Sequence, residues 1–211
     1  SRQSTVSYLS IRDLVRNRLM SGLLIMQLML TMGGAAFFTF MPLLAADDLG
    51  LSTSLIGLLV ATFMLSSALL AIPSGRIADR LNRRLLVVVG CAVSSLFLFS
   101  VPLGNSFGAL LAIAIVGSIG GAITNPAASA LTVQVGREYG MGFSIALFSM
   151  AQSVGMTVGP IVGGAVTEYA SLNSAFLLGS LMPLLGAGLF VWLAKAPKQQ
   201  SPCRCGAHSL G

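Results

Sequence analysis

Glycines, arginines and a few amides carry what chemistry this sequence offers. The segment Gly75-Arg-Ile-Ala-Asp79-Arg80-Leu-Asn82-Arg83-Arg84 puts a glycine, a carboxylate and clustered guanidinium groups within ten residues. Gly75 is expected to let two helices approach closely. Asp79 can face a helix N-terminus, and Arg80, Arg83 and Arg84 are bidentate partners for carboxylates or phosphates. A second segment, Gly155-Met-Thr-Val-Gly159-Pro160-Ile-Val-Gly163-Gly164, repeats glycine every fourth residue. That spacing makes a smooth groove for a neighbouring helix, and Pro160 removes a backbone hydrogen bond and bends the span.

Uncharged polar groups recur at helical spacing. Gln27, Thr31 and Gly34 share one face, and Ser118, Gly121, Asn125, Ser129 and Thr132 share another. Such faces either hydrogen-bond between helices or line a water-accessible cavity. Met20, Met26, Met29, Met32 and Met41, beside Phe37, Phe38 and Phe40, form a soft apolar stretch. It suits variously shaped apolar ligands, or simply faces lipid.

Catalysis finds no footing here. There is one histidine, His208, and no nucleophile paired with a base. Cys203, Cys205 and His208 form Cys-x-Cys-x-x-His near the C-terminus, but structural zinc takes four ligands at wider spacing, so neither a metal nor a cofactor is expected. Cys91 reads as a small buried residue.

The elements that position these groups follow from the charges. Uncharged runs cover residues 19–46, 49–75, 85–136, 139–167 and 169–194. Each is long enough to cross a bilayer, which takes roughly 20 apolar residues. As one helix the 85–136 run would be about 78 Å long, more than twice the hydrocarbon thickness, so it must fold back at Pro102-Leu-Gly-Asn-Ser106. Six spans result, expected near 19–45, 54–74, 85–103, 107–135, 142–168 and 172–194. They form an all-α membrane domain over residues 19–196. Residues 1–18 read as a cytoplasmic linker lying on the membrane surface, and residues 197–211 as a disordered cytoplasmic tail.

All 12 basic residues fall before the first span, in the second and fourth connections, or after the sixth. The other connections carry only Asp47, Asp48 and Glu168, or no charge. By the positive-inside rule both termini are cytoplasmic, in a plasma or inner membrane. A hydrophobic fraction of 55% with 9% charged residues excludes a soluble domain. The net charge of +6 is confined to membrane-flanking segments, where topology and anionic lipid account for it and nucleic acid need not.

The arginine-rich segment resembles motif A of the major facilitator superfamily, Gly-x-x-x-Asp-Arg-x-Gly-Arg-Arg. Asn82 stands where that pattern has glycine, and asparagine tolerates the positive φ a glycine turn would use. The glycine repeat resembles the superfamily's motif C, Gly-x-x-x-Gly-Pro-x-x-Gly-Gly, which is associated with proton-coupled drug exporters. The resemblance covers residues 11–196 and implies six helices of a twelve-helix fold, one half built as a 3+3 inverted repeat. No membrane carboxylate is present, Val116 stands where first halves carry an arginine, and the basic leading segment resembles the loop joining the halves. These features place the chain as the C-terminal half.

The resemblance further implies that the first and fourth helices line a central cavity, the second and fifth gate it, and the third and sixth lie outside. Gln27, Thr31, Phe38, Asn125 and Gln152 become the expected substrate contacts. The expected function is alternating-access efflux of small, largely apolar organic compounds, with protons as coupling ion. Its partner is an N-terminal six-helix half of the same chain or a second copy. Alternatives are an uptake symporter for sugars or organic acids and a non-transporting or homodimeric six-helix scaffold. A channel of the aquaporin kind is disfavoured, since the single Asn125-Pro126-Ala127 lies within a span and has no partner tripeptide.

Overall fold

A computed structural model describes residues 18–47, 49–80, 82–169 and 172–195. The expected leading segment and tail lie outside these. In hydrocarbon every backbone N–H and C=O must be satisfied within its own segment, and helices are the outcome. Among the described residues six form: α1 (Arg18–Asp47), α2 (Thr53–Arg80), α3 (Arg83–Ser100), α4 (Phe107–Tyr139), α5 (Met141–Tyr169) and α6 (Leu172–Lys195). All six are long and apolar enough to cross a membrane. The expected reversal in the long uncharged run is a 3₁₀ turn over Val101–Leu103, followed by Ser106, whose hydroxyl accepts from the Ala109 N–H at 3.3 Å and caps α4.

Two junctions differ from expectation. Helix α2 continues six residues past Ser74, through Gly75 to Arg80. Charge ends a helix's contact with lipid, not the helix, because arginine heads reach into water while the backbone ladder continues. Asn82 does not use a left-handed conformation. Its φ is −65° and its ψ 107°, and its side-chain oxygen accepts from the Arg84 N–H at 3.2 Å. Asparagine replaces the motif's glycine here by capping α3. Gly140, at φ +110°, is the single residue between α4 and α5, a conformation closed to most side chains.

The packing has an internal symmetry. Helix α1 lies against α5 and α6, α4 lies against α2 and α3, and α3 meets α6. Exchanging α1 with α4, α2 with α5 and α3 with α6 maps this set of neighbours onto itself. This is the set of principal neighbours that a 3+3 repeat would produce. Small residues set the close crossings. Gly90 and Gly120 face each other across α3 and α4, each placed so that a Cβ would come within 3.1–3.2 Å of the other's carbonyl oxygen. Gly33 does the same against the Gly179 carbonyl on α6, at 2.6 Å. Two interhelical hydrogen bonds add to this: the Ser74 hydroxyl donates to the Ala122 carbonyl at 2.6 Å, and Ser95 donates to the Ser180 carbonyl at 2.5 Å.

Candidate functional site

A cavity flanked along the bundle by two buried apolar clusters defines the site. One cluster, nearer the arginine-bearing end, holds Leu23, Met26, Val87, Cys91, Leu131 and Phe190. The other, toward the opposite end, holds Phe40, Leu44, Leu59, Val101, Leu110 and Phe176. Between them, at mid-depth, lies a cavity of about 410 Å³ to which all six helices contribute.

Of the five substrate contacts expected from sequence, Thr31, Phe38, Asn125 and Gln152 line this one cavity. Gln27 does not. It is fully buried one turn nearer the arginine-bearing end, and neither its amide oxygen nor its amide nitrogen has a hydrogen-bond partner. Leaving a buried amide unpaired costs about 1–3 kcal/mol. Gln27→Met, similar in shape but apolar, is therefore expected to raise the melting temperature of the purified protein. A fall would show the amide to be bonded in the membrane.

The polar stripe of α4 divides. Gly121 and Asn125 face the cavity, whereas Ser118 and Thr132 are buried and bond back to the carbonyls of Ile115 and Ala128 at 2.7 and 2.9 Å. Ser129 is exposed and bonds back to Pro126 at 3.0 Å. The methionines of α1 pack rather than line: Met20, Met26 and Met41 are buried in the core, Met29 touches Gly186 and Met32 abuts Gly159. The cavity's thioethers come instead from Met64 on α2 and Met156 on α5.

Further wall residues carried no sequence signal. Phe63 and Phe97 join Phe37 and Phe38 in a four-ring cluster on the cavity wall. Phe63 and Phe97 stack at 5.6 Å and 22°, and Phe37 meets each of them at 5.1 and 4.9 Å. Ser67 and Ser94 supply hydroxyls. Among the described residues no charged side chain lines the wall, so binding there rests on apolar contact and ring faces, with a few uncharged hydrogen-bonding groups for orientation.

Beside the cavity, Gly155, Gly159 and Gly163 are buried on the α5 face that meets α1. Gly155 seats the Thr31 hydroxyl, Gly159 the Met32 backbone, and Gly163 the Phe40 ring. The order of these contacts makes α1 and α5 parallel. Thr31 donates to the Gln27 and Leu28 carbonyls at 2.8 and 3.1 Å, so its hydroxyl lies both in the crossing and on the cavity wall. Pro160 is half-buried, and Gly164 points away, with open space where a Cβ would stand.

At the arginine-bearing end, Gly75 makes no close helix approach among the described residues: none of their atoms lies within 4 Å of a Cβ built on it. Arg84 is exposed and Arg83 half-buried, while the side chains of Asp79 and Arg80 lie outside the described residues. Among the described residues, no three His, Cys, Asp or Glu side chains gather as a metal site.

Six apolar spans around a mid-depth cavity define an integral, multi-pass membrane protein. The chain belongs to the Major Facilitator Superfamily, a family of membrane transporters, whose sequence profile matches residues 23–204. It is 27% identical over 154 residues to the quinolone resistance protein NorA of Staphylococcus aureus (strain MRSA252), covering 73% of this chain and 39% of that protein. It is 30% identical over 161 residues to the multidrug resistance protein MdtH of Aeromonas hydrophila, covering 75% of this chain and 38% of that one. The chain thus spans about two-fifths of the length of these relatives.

Proposed function

We propose that this six-helix body is the C-terminal half of an alternating-access exporter for small, largely apolar organic compounds, driven by proton influx. The observation that carries this reading is the ring-lined cavity at mid-depth, whose described lining bears no charge. A wall without cations or carboxylates favours apolar cargo over sugars or organic acids, which need denser hydrogen bonding or charge. The relatives named for quinolone and multidrug resistance support efflux.

The second half of the transporter would cover α2 and α5. Only 6% and 11% of the residues in the apolar stretches of these two helices are buried, against 39–50% for the other four. They are therefore the surfaces left for a partner, either a preceding six-helix half or a second copy. Gly75, open in this chain, is where that partner's helix would approach. Both termini face the cytoplasm of a plasma or inner membrane, in keeping with the placement of the basic residues.

Everted vesicles from cells making the protein test the proposal. A fluorescent quinolone is expected to accumulate when the lumen is acidic and to leak away when a protonophore collapses the gradient. Accumulation indifferent to the gradient would refute proton coupling. Proton-driven uptake into right-side-out vesicles would refute export.

A further inference from the structure

On the cavity wall, Phe97 of α3 lies against Gly117 of α4. A Cβ added at Gly117 would overlap the Phe97 ring at Cδ2, Cγ and Cε2. The ring has little freedom to yield. Behind it, α3 and α4 are locked by the Gly90–Gly120 approach, where Ser94 also abuts Gly120, so the helices cannot part without breaking backbone contacts. In front of it stands the stacked ring of Phe63, with Phe37 edge-on at 4.9 Å. Phe37, Phe63, Phe97 and Gly117 all line the cavity, so the direction left to a displaced Phe97 is into the lumen.

From this geometry we propose that Gly117 and the Phe97–Phe63 stack it supports form the size-limiting wall of the cavity and so determine how large a cargo the protein accepts. The absence of a side chain at position 117 holds the rings back. Gly121, one turn along the same face, is a built-in comparison. A methyl there meets only the Asn125 amide nitrogen, at 4.0 Å, so it adds its own volume and moves no ring. This inference takes the cavity to be the cargo site, as in the reading above, but its test does not require transport.

Ser94 is buried, borders the cavity and is reached through it, so Ser94→Cys reports what the cavity admits. In the full chain with Cys91, Cys203 and Cys205 replaced by alanine, its modification rates with methyl and benzyl methanethiosulfonate give a size ratio. Gly117→Ala is expected to slow the benzyl reagent about tenfold or more relative to the methyl one, the discrimination a small volume change makes in an apolar pocket. Gly121→Ala should change the ratio much less. Phe97→Leu should raise the ratio alone and restore it in the Gly117→Ala background, the coupling expected of residues in contact.

An unchanged ratio in Gly117→Ala overturns the proposal, as does equal slowing of both reagents or a failure of Phe97→Leu to restore the ratio. Should Gly117→Ala not fold, Phe97→Leu alone decides, since an unchanged ratio there is equally fatal. A protein that moved no quinolone yet showed these ratios would sink the efflux reading and leave the wall standing.

Discussion

Gly159→Leu is expected to abolish transport and to destabilise the purified protein by at least about 1–3 kcal/mol, the usual penalty for overpacking. A Cβ at this position would lie 2.6 Å from the Met32 carbonyl oxygen, 3.0 Å from Met32 Cα and 3.1 Å from Ala35 Cβ. Two of these three are backbone atoms, which cannot rotate aside as a side-chain tip can. The leucine must therefore push α5 off α1, and α1 is the helix that carries Thr31 and Phe38 into the cavity. Gly164→Leu is the matched control. It adds the same side chain to the same helix, where nothing lies within 4 Å of a Cβ. Thermal melts of the two variants should separate clearly, and a Gly159→Leu protein as stable as its control would show the α1–α5 crossing to be looser than described.

Asp79→Asn is expected to lower transport by an order of magnitude or more while leaving expression and stability of this chain intact or slightly improved. The reasoning starts from the end of α2. Asp79 is its penultimate residue, so a carboxylate stands at the negative end of its own helix dipole. That placement costs about 0.3–1 kcal/mol at an exposed site, and the neutral amide removes the cost. The resemblance to motif A implies that this carboxylate meets a helix N-terminus of the proposed second half, and that contact is what the substitution tests. Transport assays and melts on the same variant check the sign. Transport at the parent rate would remove Asp79 from the mechanism, and a marked loss of stability in this chain would make its role structural.

The sequence was informative about what lipid dictates and nearly silent about which face of a helix is buried. Charges bounded five uncharged runs, length required one of them to fold back, and its turn residues placed the reversal near Pro102; α2 alone runs as many as six residues past its expected end. The glycines at 155, 159 and 163 were legible as a groove because a missing side chain has one packing meaning in a membrane helix. Faces were harder to read. Leu65 and Leu69 of α2 are exposed, whereas Phe63 lies on the cavity wall, yet in hydrocarbon all three are equally soluble and no periodicity marks the difference. The same loss of contrast left the methionines of α1 open between ligand contact and lipid-facing filler, whereas Met20, Met26 and Met41 pack the core. Gln27 and Thr31 occupy one face of one helix, and a single turn separates a buried amide from a cavity wall. The contact between Phe97 and Gly117 joins residues from different helices, and only the fold brings them together.

The most direct test of the central claim asks whether the cavity is reached from both sides of the membrane. Asn125, on its wall and midway along α4, is the reporter. In a cysteine-free background, Asn125→Cys should react with an impermeant maleimide applied to right-side-out vesicles and also when applied to everted ones, and a quinolone cargo should slow both reactions. Reaction from one side only, or from neither, would contradict alternating access through this cavity.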